Sequence, residues 1–493
     1  METMQYLEVR SSANLVVLEK ESIFSYPLEI KKRWEIGRYV PGNAKDIELK
    51  SMIVSRNHGT ITCVDGKWYF TDSGSKNGTY YNGIKTGSKA LQLKNGDILR
   101  IDSADIENPE ERGVWMLFTT EAMGSKWNSI ELNKENTIFG RDEAQCDVVF
   151  PFPYISGRHM GIKKYNDKYY VIDYDSKAGT WLNNIAVHGS KEIREKDLIT
   201  ICNCLLVFTG NKIIYNIPDN INGKITNEAY KKVFVSADIK SRKVPDKSGH
   251  GKKELIRDIK LEIEKGTLVA LIGGAGAGKS TVMDCLNGRD CEGMEGTVEV
   301  NGTDLITNIE RLKYLIGVVP QFDDLRDILT VEQEITHAAK HGLPNDIKKS
   351  EINDRVTATL QMLGIENVRK NKIGKCSGGE RKRVNIGIEL VADKQFLCMD
   401  EPDAGLDPGN KRRLFELLQR LAHEEGRTII TIIHDVSDIE LFDKVIILNK
   451  VDNVGRLAFV GKPDEVKEYF NAEIKDVYAV MAKNPEKYIY RSL

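Results

Sequence analysis

The 493-residue chain has no apolar run near the length of about eighteen residues that a membrane-crossing helix needs. Its opening stretch, METMQYLEVR, has none of the apolar character that directs secretion. No Cys-x-x-Cys pair occurs among its eight cysteines, which are scattered along the chain and point to reduced thiols in a cytosolic setting. Nor is there an excess of charge of one sign. With 71 Lys and Arg against 73 Asp and Glu, the net charge of -2 gives no bulk attraction to nucleic acid or anionic lipid. Any such binding would rest on local patches, and no nucleic-acid partner is expected. What remains is globular: 41% hydrophobic and 29% charged, in a chain long enough for about two to four domains.

One stretch organises the rest. The apolar run Leu268 to Ile272 leads into Gly273, Gly274, Ala275, Gly276, Ala277, Gly278, Lys279, Ser280 and Thr281, and a helix-like segment then runs to Asn287 before Gly288 ends it. A buried parallel strand, a glycine loop and a helix N-terminus in that order make an anion cradle. The glycines let backbone N–H groups face a phosphate, and the helix dipole favours negative charge. Lys279 then reaches the outer phosphates of ATP, and Ser280 the magnesium ion, Mg2+.

The first two hundred residues hold a repeat. His58, Thr79 and Asn82 recur 101 positions later as His159, Thr180 and Asn183, with Ser55 recurring as Ser156, and Gly37-Arg38 recur 103 positions later as Gly140-Arg141. A nearly constant offset means two copies of one domain. Short runs of strand character between turn signals, such as Gly66 to Phe70 and Lys168 to Ile172, indicate an antiparallel β-sandwich in each copy.

The landmarks GR, SxxH and NG resemble those of forkhead-associated (FHA) domains, whose loops bind phosphothreonine peptides. The resemblance implies that Arg38, Ser55 and Arg56 hold the phosphate, that Asn77 and Asn82 hold the peptide backbone, and that His58 and Gly37 brace the loops. An arginine fork with hydroxyl and amide donors gives charge-assisted hydrogen bonds to a doubly charged phosphate. The alternative is a scaffold in which the same residues only tie loops together. The second copy departs from the first: Gly157 stands in place of Arg56 and Ala178 in place of Asn77, with Arg158 beside it as a substitute. Those two losses cost roughly 2–4.5 kcal/mol, so a weak or silent second site is expected.

From Asn211 the sequence turns polar, with Pro218, Asn220, Gly223 and Thr226, and residues 211–231 read as a linker. The basic stretch Lys240 to Lys253 reads as a loop within the next domain's opening hairpin.

From about Val233 the chain resembles the nucleotide-binding domain of ABC transporters. Gln321, at the end of Gly317-Val318-Val319-Pro320, matches the Q-loop, which implies contact with magnesium and a membrane partner. Ile352, Val356, Leu360 and Leu363 share one helix face closed by Gly364. The run Cys376-Ser377-Gly378-Gly379-Glu380-Arg381-Lys382-Arg383 resembles the ABC signature. Ser377 is placed to cap a helix and, with Gly378 and Gly379, to bind a phosphate. In the family this motif serves ATP held by an opposite subunit, which implies a head-to-tail homodimer or heterodimer of ATPase domains. Cysteine and glutamate replace the commoner leucine and glutamine, and the run SGGERKR resembles that of white-type (G subfamily) exporters. The run Phe396 to Pro402 reads as an apolar strand ending in two carboxylates: Asp400 to orient magnesium and Glu401 to polarise the attacking water, a pairing suited to in-line attack on a γ-phosphate. Asp407 lies in a D-loop-like turn, and His434 follows the apolar run Thr428 to Ile433 at the switch position. No aromatic suited to stacking on adenine precedes the phosphate loop, and Ile239 to Val244 is the region where that contact is sought.

The expected architecture is therefore multidomain. An all-β FHA-type sandwich (1–120), a second (121–210) and the linker precede an α/β P-loop ABC ATPase with a helical subdomain (232–471) and a charged C-terminal segment (472–493). The expected function is the ATP-hydrolysing subunit of an exporter-like transporter, lying on the cytoplasmic face of the cell membrane. It would work with a separate transmembrane permease and be regulated by a phosphothreonine protein. The competing reading is a soluble ABC ATPase acting as a phosphopeptide adaptor or conformational switch.

Overall fold

In the computed structural model, residues 13–490 are described apart from 20–21, 29–32, 43, 65, 82–83, 102–112, 121–124, 196, 219–232, 246–250 and 322–323. Asn82, Thr226 and most of the expected linker lie outside the described residues.

The first sandwich sets a six-stranded sheet against a five-stranded one. Lys67–Asp72 shows why the chain folds this way: Trp68, Phe70 and Asp72 point inward while alternate residues face out, the period-two pattern of a half-buried strand. The second copy repeats the five-stranded sheet strand for strand, while in its six-stranded sheet the last strand of the copy takes the place that the first strand, Ala13–Glu19, holds in copy one. Its boundary, however, differs from the sequence expectation. Lys212–Pro218 pairs along its length with Ser125–Glu131 and also with Cys204–Phe208, so the polar stretch after Asn211 begins as a strand of the second sandwich. Ile213 and Ile214 are buried there, and the strand is held by partners that local composition does not show.

The two sandwiches stack. Val16, Leu18, Ile98 and Leu117 of the first form one buried cluster with Trp127, Leu205, Val207 and Ile214 of the second. That is why Ala13–Glu19 is buried on both faces.

The C-terminal unit is built on a ten-stranded sheet. At its centre Leu268–Gly273 lies parallel to Thr428–Ile432 on one side and Lys444–Val451 on the other, with Phe396–Asp400 and Ile316–Val319 continuing beyond Thr428–Ile432. These strands are near-continuous apolar runs because both faces are covered. The helices are α1 (Lys279–Asn287), α2 (Ile309–Leu312), α3 (Val331–Gly342), α4 (Lys349–Met362), α5 (Gly378–Leu390), α6 (Pro408–His423), α7 (Glu465–Phe470) and α8 (Val477–Lys483). Ile352, Val356, Leu360 and Leu363 are buried together, as their spacing predicts.

Two more expectations change. The basic stretch after Lys240 is ladder more than loop, since Val233–Pro245 pairs with Lys252–Glu264. Nor does the described part of the expected C-terminal segment, residues 472–490, stand apart from the ATPase domain. Val477, Met481 and Tyr488 are buried in the same core as Phe470, and Tyr490 N–H bonds to Leu457 C=O. The second sandwich is fastened to this unit: Tyr314 Oη donates to Lys177 C=O at 2.7 Å and Arg311 to Cys202 C=O at 3.3 Å. Among the described residues no helix is long and apolar enough to cross a membrane.

Candidate functional site

The central strand delivers its last residue, Gly273, into a loop that only glycine can follow in places. Gly276 and Gly278 have φ of 71° and 89°, and a Cβ at Gly278 would lie 2.6 Å from Ile256 Cγ2. Ala277 is buried beneath the loop, while Ala275 and Gly276 are exposed at its tip. Helix α1 begins at Lys279 with no side-chain cap and no acidic residue in its first turn, which leaves its N-terminal N–H groups and dipole for an anion. Lys279 folds back to donate to Gly273 C=O at 2.9 Å and Gly274 C=O at 3.3 Å. Burial lowers its pKa, against the opposing pull of Glu401 and Asp400. Ser280 is exposed in the first turn and Thr281 half-buried behind it.

Asp400 ends its strand half-buried, its pKa raised first by burial and then by the neighbouring Glu401. Glu401 turns the chain at φ 47°, a left-handed conformation uncommon for a side chain with a Cβ, and its N–H bonds to Ile432 C=O at 3.1 Å. Its carboxylate is held at both ends: Oε2 accepts from Gln321 Nε2 at 2.7 Å, and Oε1 lies 2.6 Å from His434 Nε2. Gln321, Glu401 and His434 therefore converge from three separate loops.

Sequence reasoning passed over Lys382, whose Nζ donates to the Gln321 carbonyl at 2.7 Å while almost wholly buried. A lysine within a basic run reads as solvated, so its one signal was its place in the signature.

The start of α5 forms a second cluster. Ser377 caps the helix by accepting from Glu380 N–H at 3.3 Å, and Glu380 Oε2 accepts from Ser377 N–H at 2.8 Å, a reciprocal capping box. The glutamate that replaces the commoner glutamine is thus engaged in the cap. Gly378 and Gly379 face the start of α6, where a Cβ on either would lie 3.7 Å from Leu406 or Asn410. Asp407 caps α6 by accepting from Asn410 N–H at 3.0 Å, a bond that also lowers its pKa.

In the first sandwich, Arg38 ends the strand Trp34–Arg38, and Ser55, Arg56 and Asn77 lie on adjoining loops. Ser55 Oγ accepts from Lys76 N–H at 2.9 Å, Asn77 Nδ2 donates to Ile53 C=O at 2.7 Å, and Arg56 is exposed. Arg38 N–H bonds to Ser55 C=O at 2.9 Å, and its Nη1 reaches Met52 C=O at 3.4 Å. His58, fully buried, ties the loops: its Nδ1 accepts from Ser55 N–H at 3.1 Å and its Nε2 faces Thr79 Oγ1, which donates to Asp72. A Cβ on Gly37 would collide with Arg56 C=O, so glycine lets the two loops touch. His159 repeats the brace, with Nδ1 accepting from Ser156 N–H at 3.2 Å.

The sequence model of the ABC transporter family matches residues 256–404, and that of the FHA domain matches 34–102 and 137–202. The chain carries an ABC-type ATPase domain behind two FHA domains. It is 36% identical over 230 residues to ABC transporter G family member 19 of Arabidopsis thaliana, covering 45% of this chain and 31% of that protein. It is 28% identical over 341 residues to an ABC transporter ATP-binding/permease protein of Mycobacterium tuberculosis, covering 69% of this chain and 37% of that protein. The chain thus spans about a third of the length of these two relatives. Among solved structures, cbiO1 from Clostridium perfringens is 26% identical with a TM-score of 0.43, covering 52% of this chain and 98% of that one.

The ABC domain's donor set suits a magnesium nucleotide. The uncapped α1, Lys279 and the glycine loop suit phosphate, and Asp400 with the Ser280 hydroxyl supplies the hard oxygens that magnesium prefers. Among the described residues no three or more His, Cys, Asp or Glu are grouped to hold a metal. An ion that arrives with phosphates needs no such cage. Ile239 to Val244, where an adenine partner was sought, lies in the strand Val233–Pro245 and offers buried Ile239 and Arg242 and no aromatic.

Proposed function

We propose that the chain is the ATP-hydrolysing subunit of an exporter-like membrane transporter, paired with a second ABC domain and with a permease that supplies the membrane spans. On this reading it lies peripherally on the cytoplasmic face of the membrane. The observation that carries the proposal is the pinning of Glu401 between Gln321 and His434, beside Lys279 and Asp400. Glu401 orients the water and takes its proton, His434 holds the carboxylate in place, and Gln321 keeps its amide oxygen free for magnesium. Lys279 exchanges loop carbonyls for phosphate oxygens. Bound magnesium supplies charge neutralisation between the phosphates. Ser377, Gly378, Gly379 and Asp407 complete the site of the opposite subunit.

The first FHA domain, through Arg38, Ser55, Arg56, Asn77 and Asn82, binds a phosphothreonine protein and so places the ATPase under a threonine kinase.

The test is co-purification. A tagged Glu401→Gln chain, trapped with ATP in a host that holds its native membrane partners, is expected to bring down a polytopic membrane protein. Recovery of soluble threonine-phosphorylated proteins alone would overturn the transport reading.

A further inference from the structure

The second FHA domain has its reading loops turned onto the ATPase. Arg141, the counterpart of Arg38, is largely buried. Its Nη1 donates to both Glu351 carboxylate oxygens at 3.1 and 3.3 Å, and its Nη2 lies 3.9 Å from Asp346 Oδ1. Gly157 N–H donates to Asp346 Oδ2. Asp346 precedes α4 and Glu351 lies in its first turn. The guanidinium and the backbone N–H thus hold two carboxylates where the first copy presents its phosphate-binding loops.

The departures from the first copy acquire a cause. A Cβ on Gly157 would run into the Asp346 carboxylate, so a side chain at the position that holds an arginine in the first domain would push that carboxylate away from the N–H it accepts. No positive φ requires glycine there. Ala178, in place of Asn77, is buried beside Lys177, whose carbonyl is taken by Tyr314. Arg158 does not enter the pocket: it lies over the Tyr174 ring at 4.6 Å. Around this polar seat, Phe152, Tyr154 and Ile155 are buried in a core shared with the ATPase.

We infer that the anion pocket of the second FHA domain is an internal clasp whose ligand is the Asp346 and Glu351 carboxylate pair of the chain's own helical subdomain. Two carboxylates stand in for a phosphate, as a guanidinium fork accepts either. The pocket therefore reads no phosphopeptide in the intact chain. It fixes the N-terminal half to α4, which packs on the signature helix α5. This inference is independent of whether the protein transports anything.

The test uses the full chain and hydrogen exchange of the backbone amides around Gly157, with inorganic phosphate as the probe. In the near-isosteric double variant Asp346→Asn, Glu351→Gln, exchange of the Gly157 amide is expected to rise about 10- to 150-fold, the equivalent of one charged hydrogen bond. Gly157→Ala, which keeps both carboxylates but crowds that of Asp346, is expected to raise it likewise while the sandwich core stays protected. Exchange unchanged within about twofold in the double variant would overturn the inference. So would phosphate-dependent protection of these amides in the wild-type chain, since that would show a pocket already open.

Discussion

Glu401→Gln isolates the chemistry of the proposed site. The substitution conserves size, and the amide oxygen still accepts from Gln321 Nε2, which lies 2.7 Å away in the wild type. What goes is the charge and with it the ability to take a proton from water. A positioned general base contributes about 10²–10⁴-fold, so the single-turnover rate is expected to fall by that factor. Nucleotide affinity is expected to hold within about tenfold, because the phosphate cradle is built from the glycine loop, Lys279 and the start of α1. The pairing of a fluorescent-nucleotide titration with a quenched-flow phosphate assay separates the two quantities. A variant that hydrolyses ATP within about tenfold of wild type would refute the assignment of Glu401 as the base. Loss of affinity with the saturated single-turnover rate unchanged would instead show a carboxylate that binds and does not catalyse.

Three other outcomes follow from the geometry. Arg38→Ala is expected to weaken binding of a phosphothreonine peptide by about 10- to 150-fold in calorimetric titration, and equal affinity would remove the first FHA domain from the regulatory scheme. His58 is buried and neutral, its pKa pushed down to about 4 by burial despite nearby Asp72. A histidine with an ordinary value near 6.5 when unfolded contributes stability that is complete above pH 6.5 and drains away as the pH falls toward 4. The loss is about 3 kcal/mol for this group, and the first sandwich's calorimetric unfolding transition is expected to fall across that window. A flat profile, or one that breaks only below pH 4, would contradict it. Met481→Ala, in the segment that the sequence set apart from the ATPase, is expected to cost about 2–5 kcal/mol in denaturant unfolding of the ATPase domain, and a loss under about 0.5 kcal/mol would show that α8 is not part of its core.

How much was legible in sequence depended on whether the signal was local. The glycine loop, the paired carboxylates at a strand end and the Ser377 cap are set by residues within a few positions of one another, and each occupies the kind of element its spacing implied. The two sandwiches announced themselves through repeated landmarks because His58 and His159 perform the same brace on the same loops. Lys382 was not legible, since its role depends on Gln321, which lies on a different loop. Likewise Lys212–Pro218 looks like linker because its polar neighbours dominate, although its partner strand begins at Ser125.

The chain's order of residues by itself determined that it would hold a phosphate cradle, a carboxylate pair and two copies of one sandwich, because those properties reside in short motifs with their own backbone preferences. Only the tertiary structure decided where the second sandwich ends, that the C-terminal helices complete the ATPase core, and that Arg141 and Gly157 face Asp346 and Glu351. Those outcomes depend on which distant surfaces meet, and burial of apolar area beside a satisfied charge pair is a property of the assembled chain.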